Sequence, residues 1–293
     1  MKSKLAILGG NPIFDEPIHI GRPNIGNRER FRDLSDQLLD RRWLSNNGPL
    51  VQDFERRIAD FLGVKHCICV CNATIGLEIA IRGAELHGEV VVPSYTFVAT
   101  AHALQWQEIT PVFADIDPDT YNLDPALIER HITPRTTAIL ATHLFGRPCP
   151  VQALEKIADR RGLKLMFDSA HAFGCSHEGR MIGGFGLAEV FSFHATKFLN
   201  SFEGGAITTN DDALATRIRL MTNFGFSDYD KVIHLGTNGK MTEICAAMGL
   251  TSLESIEELV DINRRNHKDY CKWLNKLPGI AVIEYNPAED FDM

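Results

Sequence analysis

Short apolar runs alternate with amphipathic stretches through the middle of the chain, and the two kinds of segment carry different periods. Runs at 66–71, 89–92, 110–114, 137–142, 163–167, 189–193 and 206–209 predict strands. Helical spacing between several of them predicts helices over 74–86, 97–106, 125–131 and 151–161. Strand and helix in alternation argue for an α/β fold with a largely parallel sheet covered on both faces. Ahead of this block, 28–42 and 50–62 read as helices around the turn-rich Leu44-Ser45-Asn46-Asn47-Gly48-Pro49. After it, 211–221 and 242–275 read as helices, the second expected to be broken, and 280–284 as a strand. The pattern divides into a large domain over 1–245 and the start of a small C-terminal domain over 246–293.

A chain of 293 residues can bury a sizeable core. Its formal charge of −8, with both signs mixed along the sequence, offers no basic stripe to track a phosphodiester backbone, so nucleic acid is not an expected partner. The start holds only a four-residue apolar run, Leu5 to Leu8, before Gly9 and Gly10, short for a signal-peptide core. No segment approaches the ~20 apolar residues of a membrane-spanning helix, and a cytoplasmic location is expected. The seven cysteines do not resemble a secreted disulfide framework. Cys67, Cys69 and Cys71 alternate on one face of a strand with no second ligand cluster after them, so they read as small buried hydrophobes rather than metal ligands.

In open α/β sheets the ligand site lies beyond the carboxyl ends of the strands, so the residues just after each apolar run carry the chemistry. Four places stand out. Asn72 can cap the helix after the first strand, leaving the amides of Ala73, Thr74 and Ile75 and the Thr74 hydroxyl to face an anion; a plain helix cap is the alternative. Phe97 follows the strand that ends at Pro93 and suits either stacking on a heteroaromatic ring or core packing. Asp168 follows an apolar run, where desolvation is costly unless it is paired. Set against a pyridinium nitrogen it would hold the ring electron-poor, with His171 within reach of a ring hydroxyl; the alternative is an N-cap. Ser192 ends the next strand, and the turn after it would bring Lys197 across from Asp168, where a lysine can form an imine with a carbonyl cofactor and then serve as a base. An ordinary surface lysine is the alternative there. His194, with no nameable partner, reads as structural.

These four runs, with Leu44 to Pro49 and Gly236 to Glu243, together resemble the DegT/DnrJ/EryC1/StrS sugar aminotransferases over nearly the whole chain. Ile20 to Gly26, Cys71 to Thr74, His143 to Cys149 and Asn223 to Phe226 are similar to the members that aminate C4 of a dTDP-4-keto-6-deoxyhexose. The resemblance implies a fold-type-I enzyme dependent on pyridoxal 5′-phosphate (PLP), acting as a homodimer with shared sites. It assigns Lys197 as the Schiff-base lysine, Asp168 as the pyridine partner and Phe97 as the stacking ring. It gives Ala73, Thr74, Ile75 and Ser192 to the phosphate, His171 to the ring hydroxyl, and Asn238 to the phosphate of the other subunit's cofactor. L-Glutamate is the implied donor and a dTDP-keto-sugar the acceptor, giving dTDP-4-amino-4,6-dideoxyglucose. Family members continue beyond Met293, so parts of the substrate site are expected to lie outside this sequence. Three other readings stand beside this one: a PLP-binding but catalytically impaired protein or fragment, a 3-keto-sugar aminotransferase, and a nicotinamide dehydrogenase. The last lacks GxGxxG after the first strand.

Overall fold

The computed structural model describes residues 4–19 and 21–282. Its centre is a seven-stranded sheet of β1 (His66–Val70), β2 (Glu89–Pro93), β3 (Thr110–Ala114), β4 (Thr136–Thr142), β5 (Lys164–Asp168), β8 (Ala188–Ser192) and β9 (Gly205–Thr209). The order is β1-β9-β8-β5-β4-β2-β3. Pairs among β3, β2, β4, β5 and β8 are parallel, and β9 runs antiparallel to both of its neighbours. Two-residue strands β6 (Ser176–His177) and β7 (Arg180–Met181) form a hairpin between β5 and β8, and β10 (Phe226–Asp228) pairs with β11 (Lys231–Val232) outside the sheet. All seven expected sheet strands are present.

Why the sheet strands read as unbroken apolar runs is plain from burial: β2 and β8 are buried at every position, because helices cover both faces. Successive residues feed two separate cores. On one face Cys67, Cys69, Val91, Ile139, Phe167 and Phe191 meet α2 (Pro49–Leu62), α6 (Val151–Arg161) and α8 (Glu243–Glu254). On the other, Ile68, Val70, Val90, Leu140, Met166 and Val190 meet α3 (Ala73–Gly83), α4 (Val98–Gln105) and α7 (Asp212–Thr222). β3 is the exception that fits: it is an edge strand, and Pro111 is tolerated in it because only one side is paired.

The expected long C-terminal helix is broken at Ser255, into α8 and α9 (Ile256–Leu274). α8 packs against both α1 (Arg28–Arg41) and α2, and Ala246, Ala247, Leu250, Leu253, Ile256 and Val260 lie in the first core. The first core therefore continues through α8 and into α9, because α8 buries most of its length, leaving only Ile244 and Glu254 exposed. Of the strand expected at 280–284, residues 280–282 have no regular structure and the rest lies outside the described residues.

A long-range cap ties this core together. Pro49 opens α2, and the N–H groups of Leu50 and Val51 donate to Glu243 Oε2 and Oε1, each at 2.9 Å. Gly48 stands where a Cβ would come 2.5 Å from that carboxylate, so glycine is required for the approach. Glu243 is buried, and Glu243→Ala would strand two buried donors at a positive helix end. The expected cost is about 2–4 kcal/mol, a fall of ~5–15 °C in a thermal melt. An unchanged melt would show that water replaces the carboxylate.

Candidate active site

The carboxyl ends of β1, β2, β4, β5 and β8 converge on one cavity of about 430 Å³, lined among others by Ala73, Thr74, Phe97, Asp168, His171, Ser192 and Lys197. Of the sequence candidates only Ile75 and Asn238 are missing from its lining.

At one end lies the start of α3. Asn72 has extended backbone, and its Oδ1 accepts the Ile75 N–H at 2.9 Å. At Asn72 a helix cap and free first-turn amides coexist, but the cap consumes one of the three amides. The Ile75 N–H donates to Asn72, because a side-chain oxygen three residues back reaches the same donor an anion would use. Ala73 and Thr74 precede the first intrahelical bond, so their N–H groups have no partner within the helix. Gly205 on β9 keeps this corner open, since a Cβ there would sit 2.9 Å from the Ala73 nitrogen and 2.7 Å from the Phe191 carbonyl oxygen.

Phe97 sits at the N-cap of α4 and is 71 % exposed, which removes core packing as its role, and it lines the cavity. Asp168 is only 4 % exposed. No helix follows β5, so Asp168 is not an N-cap. Its Oδ1 accepts the Ala170 N–H at 3.1 Å and its Oδ2 accepts the Thr100 hydroxyl at 2.7 Å. Its backbone is pinned as well, with the His143 N–H donating to Asp168 O at 3.0 Å and the Ser169 N–H to Val190 O at 2.9 Å. Below, the buried Glu189 accepts from the Ser169 hydroxyl at 2.6 Å and from the Gly183 and Phe185 N–H groups at 2.7 and 2.8 Å. A buried carboxylate held this firmly at a strand end is what a cationic partner in the cavity would meet.

Ser192 closes β8, and the chain then turns back: the Lys197 N–H donates to His194 O and the Ser201 N–H to Phe193 O, both at 2.8 Å. That turn places Lys197 half-buried in the same cavity as Asp168. Burial pushes the Lys197 ammonium below the ordinary lysine value of 10.5, while Asp168 pulls the other way. His171 is held below its usual value by burial and then by the charge of Lys197, with Asp168 opposing. These effects show three groups sharing one field. Because the neutral amine is the nucleophile, labelling of Lys197 with a small aldehyde and borohydride is expected to reach half its maximal rate at a pH below 10.5. Asp168→Asn removes the one opposing charge, so the midpoint should fall further; a midpoint at the ordinary lysine value would mean a fully hydrated Nζ.

At the mouth His171 stacks on Phe145, with ring centroids 6.1 Å apart, and beyond it a second hollow of about 380 Å³ extends to Asn263 of α9. Asn238 is exposed in the segment after β11, bridged to Asn223, and does not reach its own chain's cavity.

The sequence matches the model of the DegT/DnrJ/EryC1/StrS aminotransferase family over residues 26–293. The chain belongs to this family. Among relatives, it is 39 % identical over 275 residues to a dTDP-4-amino-4,6-dideoxy-D-glucose transaminase of Escherichia coli, covering 93 % of this chain and 74 % of that one. It is 38 % identical over 245 residues to a GDP-perosamine synthase of Caulobacter vibrioides, covering 82 % and 66 %. Its fold is similar to that of DesI, solved in the presence of its TDP-sugar product, with a TM-score of 0.93 and 53 % identity over 97 % of this chain and 73 % of DesI.

Several residues of the aminotransferase's cavity escape a reading of the sequence. Thr96, Thr142, His194, Thr196 and Glu203 line it, and Thr100 stands behind it on Asp168. His194, read as structural, has partners after all: its Nδ1 lies 2.9 Å from the Thr196 hydroxyl and its Nε2 3.5 Å from Glu203 Oε1. Thr96 and Thr100 left no periodic signal, because Thr96 lies in the loop before the Phe97 N-cap and only Thr100 is on α4.

Proposed function

We propose that the chain binds PLP in the cavity at the strand ends and transfers an amino group from L-glutamate to a nucleotide keto-sugar. The acceptor that fits the relatives best is dTDP-4-keto-6-deoxyglucose, giving dTDP-4-amino-4,6-dideoxyglucose. The observation that carries this reading is the meeting of a buried carboxylate, Asp168, and a half-buried lysine, Lys197, in one cavity whose far end offers the amides of Ala73 and Thr74.

The residues present fit the cofactor. Ala73, Thr74 and Ser192 would hold its phosphate, in a corner that a Cβ at Gly205 would fill. Phe97 would cover one ring face, Asp168 would meet the pyridine nitrogen, and His171 would stand near the ring hydroxyl. Lys197 would attach it covalently. When bound, PLP supplies an electron-poor ring that takes up the electron pair released at the donor's α-carbon. Lys197 Nζ takes the proton from that carbon and, in the second half of the exchange, gives a proton to the sugar carbon that receives the amine. Asp168 keeps its negative charge on the nitrogen side throughout. The exposed Asn238, absent from its own cavity, suits a role across a homodimer, on the phosphate bound by the other subunit.

The test is an assay of purified protein with L-glutamate and a panel of keto-sugar nucleotides differing in base and in keto position, with NMR of the new C–N centre. Turnover of the dTDP-4-keto substrate above the GDP and 3-keto members supports the reading. Turnover of a 3-keto member alone would reassign the regiochemistry, and none with any member would sink it.

A further inference from the structure

We infer that Thr142, Thr96 and Thr100 form a directed relay of hydroxyls that fixes the Asp168 carboxylate and aims it into the cavity. The inference rests on the cofactor reading above and assigns positioning roles to three residues not otherwise placed in the reaction.

The direction of the relay follows from counting protons. Each threonine hydroxyl has one proton to donate. Thr100 Oγ1 lies 2.7 Å from Asp168 Oδ2 and donates to it. Its proton is then used, so at the 2.7 Å contact between Thr96 Oγ1 and Thr100 Oγ1 it is Thr96 that donates. Thr96 in turn has none left, so at the 3.1 Å contact between Thr96 Oγ1 and Thr142 Oγ1 the donor is Thr142. All three O–H dipoles point toward the carboxylate, and hydrogen bonds in series polarise one another. Thr100 and Thr142 are buried, so water does not compete freely for these contacts.

The fold builds this chain from three separate strand ends. Thr142 closes β4 and is the register partner of Asp168 at the end of β5, while Thr96 and Thr100 come from the loop after β2 and the first turn of α4. With Ala170 on Oδ1 and Thr100 on Oδ2, each oxygen keeps one lone-pair direction for the cavity. The ionisable groups near Asp168 are Lys197, His171, His194 and Glu203 at the cavity and Cys149, His143 and Glu189 on the core side, and a change in the relay leaves all of them in place.

Thr100→Val keeps the shape and removes the donor; Thr100→Ser keeps the donor. With PLP bound, loss of the donor frees the carboxylate to turn away from the ring nitrogen, which is then less firmly held in its protonated form. The pH midpoint of the bound cofactor's visible absorption should therefore move upward in Thr100→Val and return in Thr100→Ser. Turnover should fall roughly ten- to a hundredfold in kcat, as for a lost hydrogen bond to a charge, with KM for the donor changed far less. Thr96→Val, one step back, should shift both in the same direction by less, and stands in if Thr100→Val fails to fold. An unmoved midpoint and kcat in the folded valine variants, while wild type and variants alike are trapped at Lys197 by borohydride, overturn the relay alone. Absence of borohydride trapping in wild type would instead bring down the cofactor reading, and the relay with it.

Discussion

Lys197→Ala is expected to abolish turnover and to leave no cofactor attached to the chain after borohydride treatment. On the proposed reading the lysine is the covalent anchor and the base for both proton movements. Loss of a positioned base alone costs about 10²–10⁴ in rate, and loss of the anchor adds to it. The fold should survive, because the 2.8 Å bond that closes the 194–197 turn runs from the backbone of Lys197, not from its side chain. Removing a half-buried ammonium whose charged form is disfavoured by burial should not lower the melting temperature. Added primary amines are expected to restore a small fraction of the rate by taking over the proton transfer. Activity within tenfold of wild type in a folded Lys197→Ala protein would show that the base lies elsewhere in the cavity.

Asp168→Ala is expected to lower the rate by roughly 10²–10³ even with saturating PLP, the loss typical of removing one preorganised electrostatic contact. Saturation matters because the same change should weaken cofactor binding, and only the residual rate of fully loaded protein reports on chemistry. Asp168→Asn divides the effect further. The amide oxygen can still accept from Thr100, with the NH2 group then facing the Ala170 N–H, so the shape is kept while the charge and one acceptor are lost. If charge is what the site uses, the asparagine variant should be nearly as slow as the alanine variant. Recovery of most of the rate in Asp168→Asn would mean that shape, not charge, is the contribution, and a near-normal rate in both would remove Asp168 from the pyridine nitrogen.

The places where sequence reasoning fell short share one cause. A hydrogen bond between residues far apart in the chain leaves no periodic trace. Glu243 caps α2 from 193 and 192 residues away, and nothing around Gly48 or Glu243 in the sequence announces it. Thr100 reaches Asp168 across 68 residues, and Thr96 reaches Thr142 across 46. Ile75 is a subtler case, since Asn72 was read as able to cap and Ile75 as able to bind an anion, yet one N–H cannot do both. The packing of α8 into the first core left no stripe in the sequence, because α8 is mostly apolar and gives little to separate an inward from an outward face.

What the sequence by itself determined is the order of elements and the residues at their ends. Strands buried on both faces must be continuous apolar runs, and those runs set the seven strands and delivered Ser192 and Asp168 to strand termini. Local chemistry likewise set the α3 N-terminus at Asn72 and the turn that carries Lys197. Only the tertiary structure decided which of these ends face one another, which amides remain free, and which hydroxyls stand behind the carboxylate. The strand order β1-β9-β8-β5-β4-β2-β3 differs from the chain order, and it is this sheet pairing that sets Thr142 beside Asp168 and closes one cavity around Phe97, Asp168 and Lys197.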